Sequence, residues 1–329
     1  MKRKRLSTAA VFLGAFTGAG FASGREIALY FSDCSPVVPF LSGLLLGVFC
    51  YFFLLIGAYT QGKPKLLWGK ADKFADAVIK ISNLVTLCSM TAASETTVYA
   101  LFSFHGGGII TGILALITVV AGVEKIKLSN VIIVPVIIIL IFTLFFKNGE
   151  LFLIGKITVL PAFSYCTMNI IGGGHLISTM SKGFSKKDCV ITASYCGIFI
   201  TLLIMAVFFA IRSMQNSDMP LMEAAKLSNL ALIGNIVMYL AVFTTMTSCL
   251  SIVSENKPYA AIIVTSVAFA VSVFGFRTIV DTLYPVLSVL GAMVSTGYVF
   301  LYIVNKKRRK ISFTPPEKTV FRQNLTLKN

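Results

Sequence analysis

Residues 17–26 read TGAGFASGRE, inside an apolar stretch that begins at Ala9 and ends near Phe31. Three glycines, Gly18, Gly20 and Gly24, are followed by an adjacent arginine and glutamate, Arg25 and Glu26. Gly14 with Gly18, and Gly20 with Gly24, form GxxxG pairs that let two membrane helices approach closely. Packing alone does not account for the charges. Each charge near the centre of a span costs about 2.5–3.5 kcal/mol on insertion scales, whereas each Leu, Ile, Phe or Val returns about 0.3–0.6 kcal/mol. The eight such residues in this stretch cannot offset both charges, so Arg25 and Glu26 must face protein or water. The sharper reading is a helix interrupted at TGAGFASG, because unpaired backbone at membrane depth is tolerated only where it lines a site. A second cluster, Gly172, Gly173 and Gly174 followed by His175, predicts a second interruption, since each glycine weakens a helix by about 1 kcal/mol relative to alanine.

Half-helix amino termini at two such breaks would present free amides and positive dipole ends, suited to an anionic group such as a carboxylate. That places a small solute against Gly18, Ala19, Gly20 and Phe21 on one side and Asn169, Gly172, Gly173 and Gly174 on the other. Phe21 reads equally well as lipid-facing bulk. In AVFTTMTSCLSIV, Thr244, Ser248 and Ser251 recur at i, i+4 and i+7 with Thr247 beside them. With Thr17 and the first-break carbonyls, these neutral oxygens can complete the shell of a hard cation. The alternative is that the hydroxyls bond back to carbonyls one turn earlier. Glu95 shares a face with Thr91 and Tyr99, and a carboxyl in a membrane span either carries a proton or makes a structural hydrogen bond. Tyr99 either caps a central cavity or is a core tyrosine. Arg25 and Asp281 fall at similar depth near one membrane face, so their pairing would gate the pathway or form a static ion pair.

The elements that position these residues follow from composition. Hydrophobic residues make up 56% of the chain, charged residues 13%, and the mean hydropathy is +0.85, which places the chain in a bilayer. Apolar runs able to cross about 30 Å of hydrocarbon fall at 9–31, 37–60, 81–103, 108–122, 128–146, 157–180, 189–211, 227–253, 259–275 and 279–304. The fold expected is an all-α polytopic membrane protein of about ten spans, with one domain over 1–304. The glycine clusters open two blocks of five spans, 1–150 and 151–304, and an odd number makes the second block enter from the opposite side. Such an inverted repeat with broken first and sixth helices is the plan of many secondary transporters.

Lys and Arg accumulate in cytoplasmic loops, and with an inside amino terminus 23 of them lie inside against five outside, Arg25 set aside. Both termini are therefore expected in the cytoplasm of a cell-membrane protein. The net charge of +16 then marks topology and contact with anionic lipid, and not nucleic-acid binding. Residues 305–329, with Pro315 and Pro316, read as a disordered basic tail. The amino-terminal stretch has the basic start and small-residue end of a signal peptide, but apolar character resumes at IALYF, so one long span is expected. Seven scattered cysteines fit neither a disulfide framework nor a metal cluster, and no phosphate loop, HExxH or nucleophile elbow appears, so an enzyme is not expected.

Through residue 304 the chain resembles the LeuT-type fold of the amino acid–polyamine–organocation superfamily, and GAGFASGREI is most similar to the YkvI-type bacterial membrane proteins within it. The resemblance implies a central site for a small solute, commonly an amino acid or related amine, moved by alternating access with sodium or protons. It implies no other cofactor. LeuT-type sodium symporters place a hydroxyl pair where Thr247 and Ser248 stand, and Lys125 and Lys127 reach only the mouth of the fifth span, which favours sodium. An uncoupled facilitator or channel, and a non-transporting receptor on the same fold, share most of these features. Substrate identity and oligomeric state are not encoded in them.

Overall fold

A computed structural model describes residues 2–63, 72–121, 123–255 and 257–308, and the basic tail beyond Arg308 lies outside the described residues. The chain is an all-helical membrane protein. The first apolar stretch forms three pieces, α1 (Lys2–Phe16), α2 (Ala19–Ala22) and α3 (Arg25–Phe31). The long helices α4 (Val37–Tyr59), α5 (Asp72–Phe102), α6 (Gly107–Val120) and α7 (Val123–Asn148) follow. The second half contains α8 (Val159–Met180), α9 (Lys186–Ala210), the short α10 (Pro220–Leu227), α11 (Ala231–Ser254), α12 (Pro258–Ser272) and α13 (Phe276–Arg308). Among the described residues five helices, α4, α5, α9, α11 and α13, are long and apolar enough to cross a bilayer, and α6, α12 and the second half of α7 are shorter apolar helices.

The first stretch is interrupted twice. At the first interruption Thr17 still makes the helical amide bond to Leu13 O at 2.8 Å, with its hydroxyl on the same carbonyl at 2.9 Å, and α1 ends just before it. At the second, Ser23 donates its hydroxyl to Gly20 O at 2.7 Å and accepts the Arg25 amide at 3.1 Å. Gly24 then takes φ +77°, a left-handed conformation that a side chain would strain. By contrast, α8 runs unbroken through Gly172, Gly173 and Gly174. The expected break in the sixth span is not there, and two of the three glycines, Gly173 and Gly174, serve packing. A Cβ on Gly173 would come within 2.6 Å of the Phe12 ring, and one on Gly174 within 2.9 Å of Phe53. Contact with α1 and α4 supplies what the glycines withhold in helix propensity.

Close helix approach recurs between α4 and α9, where Gly47 and Gly197 face each other and a Cβ on either would meet the other's Cα at 3.0–3.1 Å. Ser185 opens α9 with a capping box closed by Asp188. Gly197→Leu should therefore push α4 from α9 and destabilise the protein by about 1–3 kcal/mol. A thermal melt of the purified variant unchanged from the parent would show that the helices do not meet there.

Candidate functional site

The interrupted first stretch lies at the middle of the packing, touched by α5, α7, α8, α9, α10, α11 and α13. A Cβ on Gly18 would stand 3.2 Å from Thr245 Oγ1, so α11 meets the break through Thr245. Thr247, two residues on, lies about 200° around the helix from it. It is buried elsewhere, with its hydroxyl on Thr244 O at 2.9 Å. Thr244 and Thr245 both donate to Ala241 O, at 3.0 and 2.8 Å, and Ser248 donates to Thr244 O at 2.8 Å. These bonds spend the hydroxyl protons and leave oxygen lone pairs, so back-bonding and coordination of a cation are compatible. Thr245, which sequence reasoning passed over, is the hydroxyl at the break.

Glu26 folds back over the break. A Cβ on Gly20 would collide with its Oε1, so any other residue there would make the carboxylate move from this position. Glu26 is 7% exposed, and its Oε2 has no hydrogen-bond partner. Phe21 is fully buried against Phe16, with ring centroids 4.8 Å apart, and is not lipid-facing bulk. For Ala19 only the backbone, in α2, is described.

The α8 residue that reaches the break is Tyr165. Its ring meets Phe31 at 5.2 Å, Tyr30 at 5.6 Å and Phe16 at 6.3 Å, while its buried hydroxyl has no partner. Asn169, one turn later, returns its amide to Tyr165 O at 3.0 Å. Gly172 borders open space, and Gly173 and Gly174 are covered by phenylalanines. The glycine triplet is therefore not a second lining of exposed backbone. With α8 continuous, the expectation of two opposed amino termini cradling an anion fails too, and Glu26 already occupies the first turn of α3.

On one side the break is closed by charge. Arg25, buried, donates Nε to Asp281 Oδ1 at 2.9 Å and Nη2 to Asp281 Oδ2. Its Nη1 bonds the carbonyls of Gln215 and Ser217 at 3.2 and 3.3 Å. Arg277 adds contacts of 3.5 Å to Asp281 and to Asp218. The start of α10 lies over the gap, its Leu221 amide donating to Ser23 O at 2.9 Å. At the other end of α1, Arg5 pairs with Asp188 at 2.6 Å, and Lys4 reaches Lys182 O at 2.6 Å.

Glu95 and Tyr99 stand apart from this site. The Glu95 carboxylate accepts the amides of Gly106, at 2.9 and 3.1 Å, and Gly108, at 2.9 Å, with His105 Nδ1 at 3.4 Å. It caps the start of α6 from a neighbouring helix, satisfying amides that have no partner within α6. Tyr99 is 49% exposed and stacks on His105 at 4.5 Å, so it does not cap a central cavity.

No family model matches the sequence. A Bacillus subtilis (strain 168) protein described as the uncharacterized membrane protein YkvI is 25% identical, over 92% of this chain and 96% of its own length. Mhp1 in an inward-facing conformation aligns with a TM-score of 0.61 at 14% identity, covering 94% of this chain and 78% of Mhp1. The chain is a distant homologue of YkvI with the LeuT-like fold of Mhp1. A second Mhp1 structure, described as a nucleobase-cation-symport-1 family transporter in a closed conformation with bromovinylhydantoin bound, gives a TM-score of 0.57 at 12% identity. It covers 94% of this chain and 80% of Mhp1.

Within this Mhp1-like fold the Glu95 carboxylate caps α6. Glu95→Ala should lower stability by about 1–2 kcal/mol, the worth of a lost cap, and leave ligand affinity unchanged. An affinity loss without a lowered melting temperature would contradict that assignment.

Proposed function

We propose that the protein is a secondary transporter of a small organic solute, which occupies the interrupted first span and crosses by alternating access. The observation that carries this reading is a buried break in the first span, latched on both sides by ion pairs. Arg25–Asp281 with α10 closes one side, and Arg5–Asp188 closes the other. A channel has no need of two closures around one site, whereas a transporter opens them in turn.

Ten crossings account for the chain if α1 to α3 count as one and α10 lies outside the membrane. Four of the five crossings of the first half then pack on their counterparts five crossings later: α1 on α8, α4 on α9, α5 on α11 and α6 on α12. These pairings support the inverted repeat over 1–150 and 151–304. The excess of basic residues supports cytoplasmic termini and contact with anionic lipid at that face. On this topology Arg5–Asp188 is the inner latch and Arg25–Asp281 the outer.

The coupling ion fits best as sodium beside the first break. Thr244, Thr245 and Ser248 supply hydroxyl oxygens there and Thr17 stands at the end of α1, whereas Thr247 is on the wrong face. Mhp1 is described as a member of a cation-symport family, which favours coupling over facilitated diffusion.

Proteoliposomes loaded to give a sodium gradient, a proton gradient or neither, and offered labelled amino acids and amines, test the proposal. Concentrative uptake driven by sodium is expected. Asp281→Asn and Asp188→Asn should each cut uptake by roughly tenfold or more, because each biases the two-state equilibrium toward one opening. Equilibration without concentration in any gradient would instead identify a facilitator, and solute binding without flux a receptor.

A further inference from the structure

We propose that Glu26 is the anionic centre of the solute site and that the solute is a small organic cation, bound through an ammonium N–H. The inference rests on the transporter reading for where the solute sits, and it adds what the solute must carry.

Four observations converge on Glu26. Its carboxylate is nine-tenths buried in the break, and Oε2 has no hydrogen-bond partner. Ionised, such a group is costly to bury unless a cation pairs with it. The adjacent cation is already committed, since Arg25 spends its guanidinium on Asp281 and two carbonyls. The 15-residue α1 ends at the break and turns the negative end of its dipole toward it. The sequence also holds space for the carboxylate, because any side chain at Gly20 would displace it. A residue kept this way, buried and short of a partner, is arranged to meet a cation that comes and goes.

The surroundings select the kind of cation. Glu26 lies within electrostatic reach of the phenols of Tyr30, Tyr165 and Tyr284. Tyr30 and Tyr284 are engaged with Ser288 at 2.5 Å and Ser89 at 3.1 Å, while the buried Tyr165 hydroxyl has no partner. Two buried atoms therefore await a ligand, a carboxylate oxygen and a phenol oxygen, and both accept from an N–H donor. Phe16, Phe31 and Tyr30 surround Tyr165 with ring faces and edges. Aromatic faces favour an organic ammonium, whereas a bare metal cation asks for a shell of six or so oxygens that this wall does not offer. An amino acid would bind here by its ammonium end, not by the carboxylate that opposed helix amino termini would have held.

The test is thermal stability of the purified full chain in detergent at constant ionic strength. The probes are primary alkylammonium ions from methyl to phenethyl, each matched with the alcohol and the carboxylate of equal length, and sodium alone. Ligands that bind the folded state raise its melting temperature by mass action. At least one ammonium probe should stabilise the parent, its matched alcohol and carboxylate should not, and Glu26→Gln should weaken the ammonium by at least roughly tenfold. Glu26→Asp, which keeps the charge, should restore part of the shift. Tyr165→Phe removes an unpartnered hydroxyl, so it should fold normally and weaken the same probe severalfold, keeping the test open if Glu26→Gln does not fold. The proposal is overturned if no ammonium probe binds, if the ammonium shift survives Glu26→Gln unchanged, or if Glu26→Gln abolishes only a shift caused by sodium. Amine binding that depends on Glu26 but gives no flux in liposomes would sink the transport reading and leave this site standing. Flux of neutral or anionic solutes that is indifferent to Glu26→Gln would do the reverse.

Discussion

The structure depends on one constraint: at membrane depth, interrupted backbone and charged side chains must find their partners within the protein. The first span violates helical continuity twice, at Thr17–Gly18 and at Ser23–Gly24, and adds two charges immediately afterwards. The neighbouring elements answer that violation. Leu221 of α10 takes up the carbonyl of Ser23, Asp281 of α13 takes up Arg25, and Thr245 of α11 closes on Gly18. Among the described residues around the break, Glu26 and Tyr165 alone hold buried polar atoms without a partner, and that unsatisfied chemistry is what the proposed ligand would meet.

Much of this was legible in the sequence, because charge is so scarce in the spans that each charged residue carries information. Arg25 and Glu26 could not face lipid, and Asp281 was the acid at comparable depth on a distant span. The break in the first span followed from the same argument, since glycines with charges beside them need a reason beyond packing. The triplet at Gly172–Gly174 had no such charges, and there the simpler reading holds. Glycine both weakens a helix and admits a neighbour, and Phe12 and Phe53 decide the matter in a way no local rule reports.

Other residues were hidden for geometric reasons. Threonine and serine at 244, 245, 247, 248 and 251 spread over an arc of about 160° on α11, so composition cannot say which edge of that arc meets the break. The contact of Gly18 with Thr245 decides it. For Glu95 the sequence leaves a proton carrier and a structural hydrogen bond open, because its partners, the amides at the start of α6, come into register only once the turn after α5 is built. Tyr165 gave the weakest signal of all. A tyrosine in an apolar helix is ordinarily a core residue with its hydroxyl satisfied, and only the folded chain reveals a buried hydroxyl left over beside an unpaired carboxylate. Asn169, one turn away on the same face, was the nearest hint.

The account stands or falls on whether solute occupies the interrupted first span. The most direct measurement is the alkylation rate of a cysteine placed at Thr245, in a chain cleared of its seven native cysteines, with and without a saturating solute that the protein binds. Thr245 faces Gly18 across the break, so a reagent that reaches it has reached the proposed site. Marked slowing by that solute is the predicted result. A labelling rate indifferent to saturating solute would place the binding site elsewhere and contradict the account.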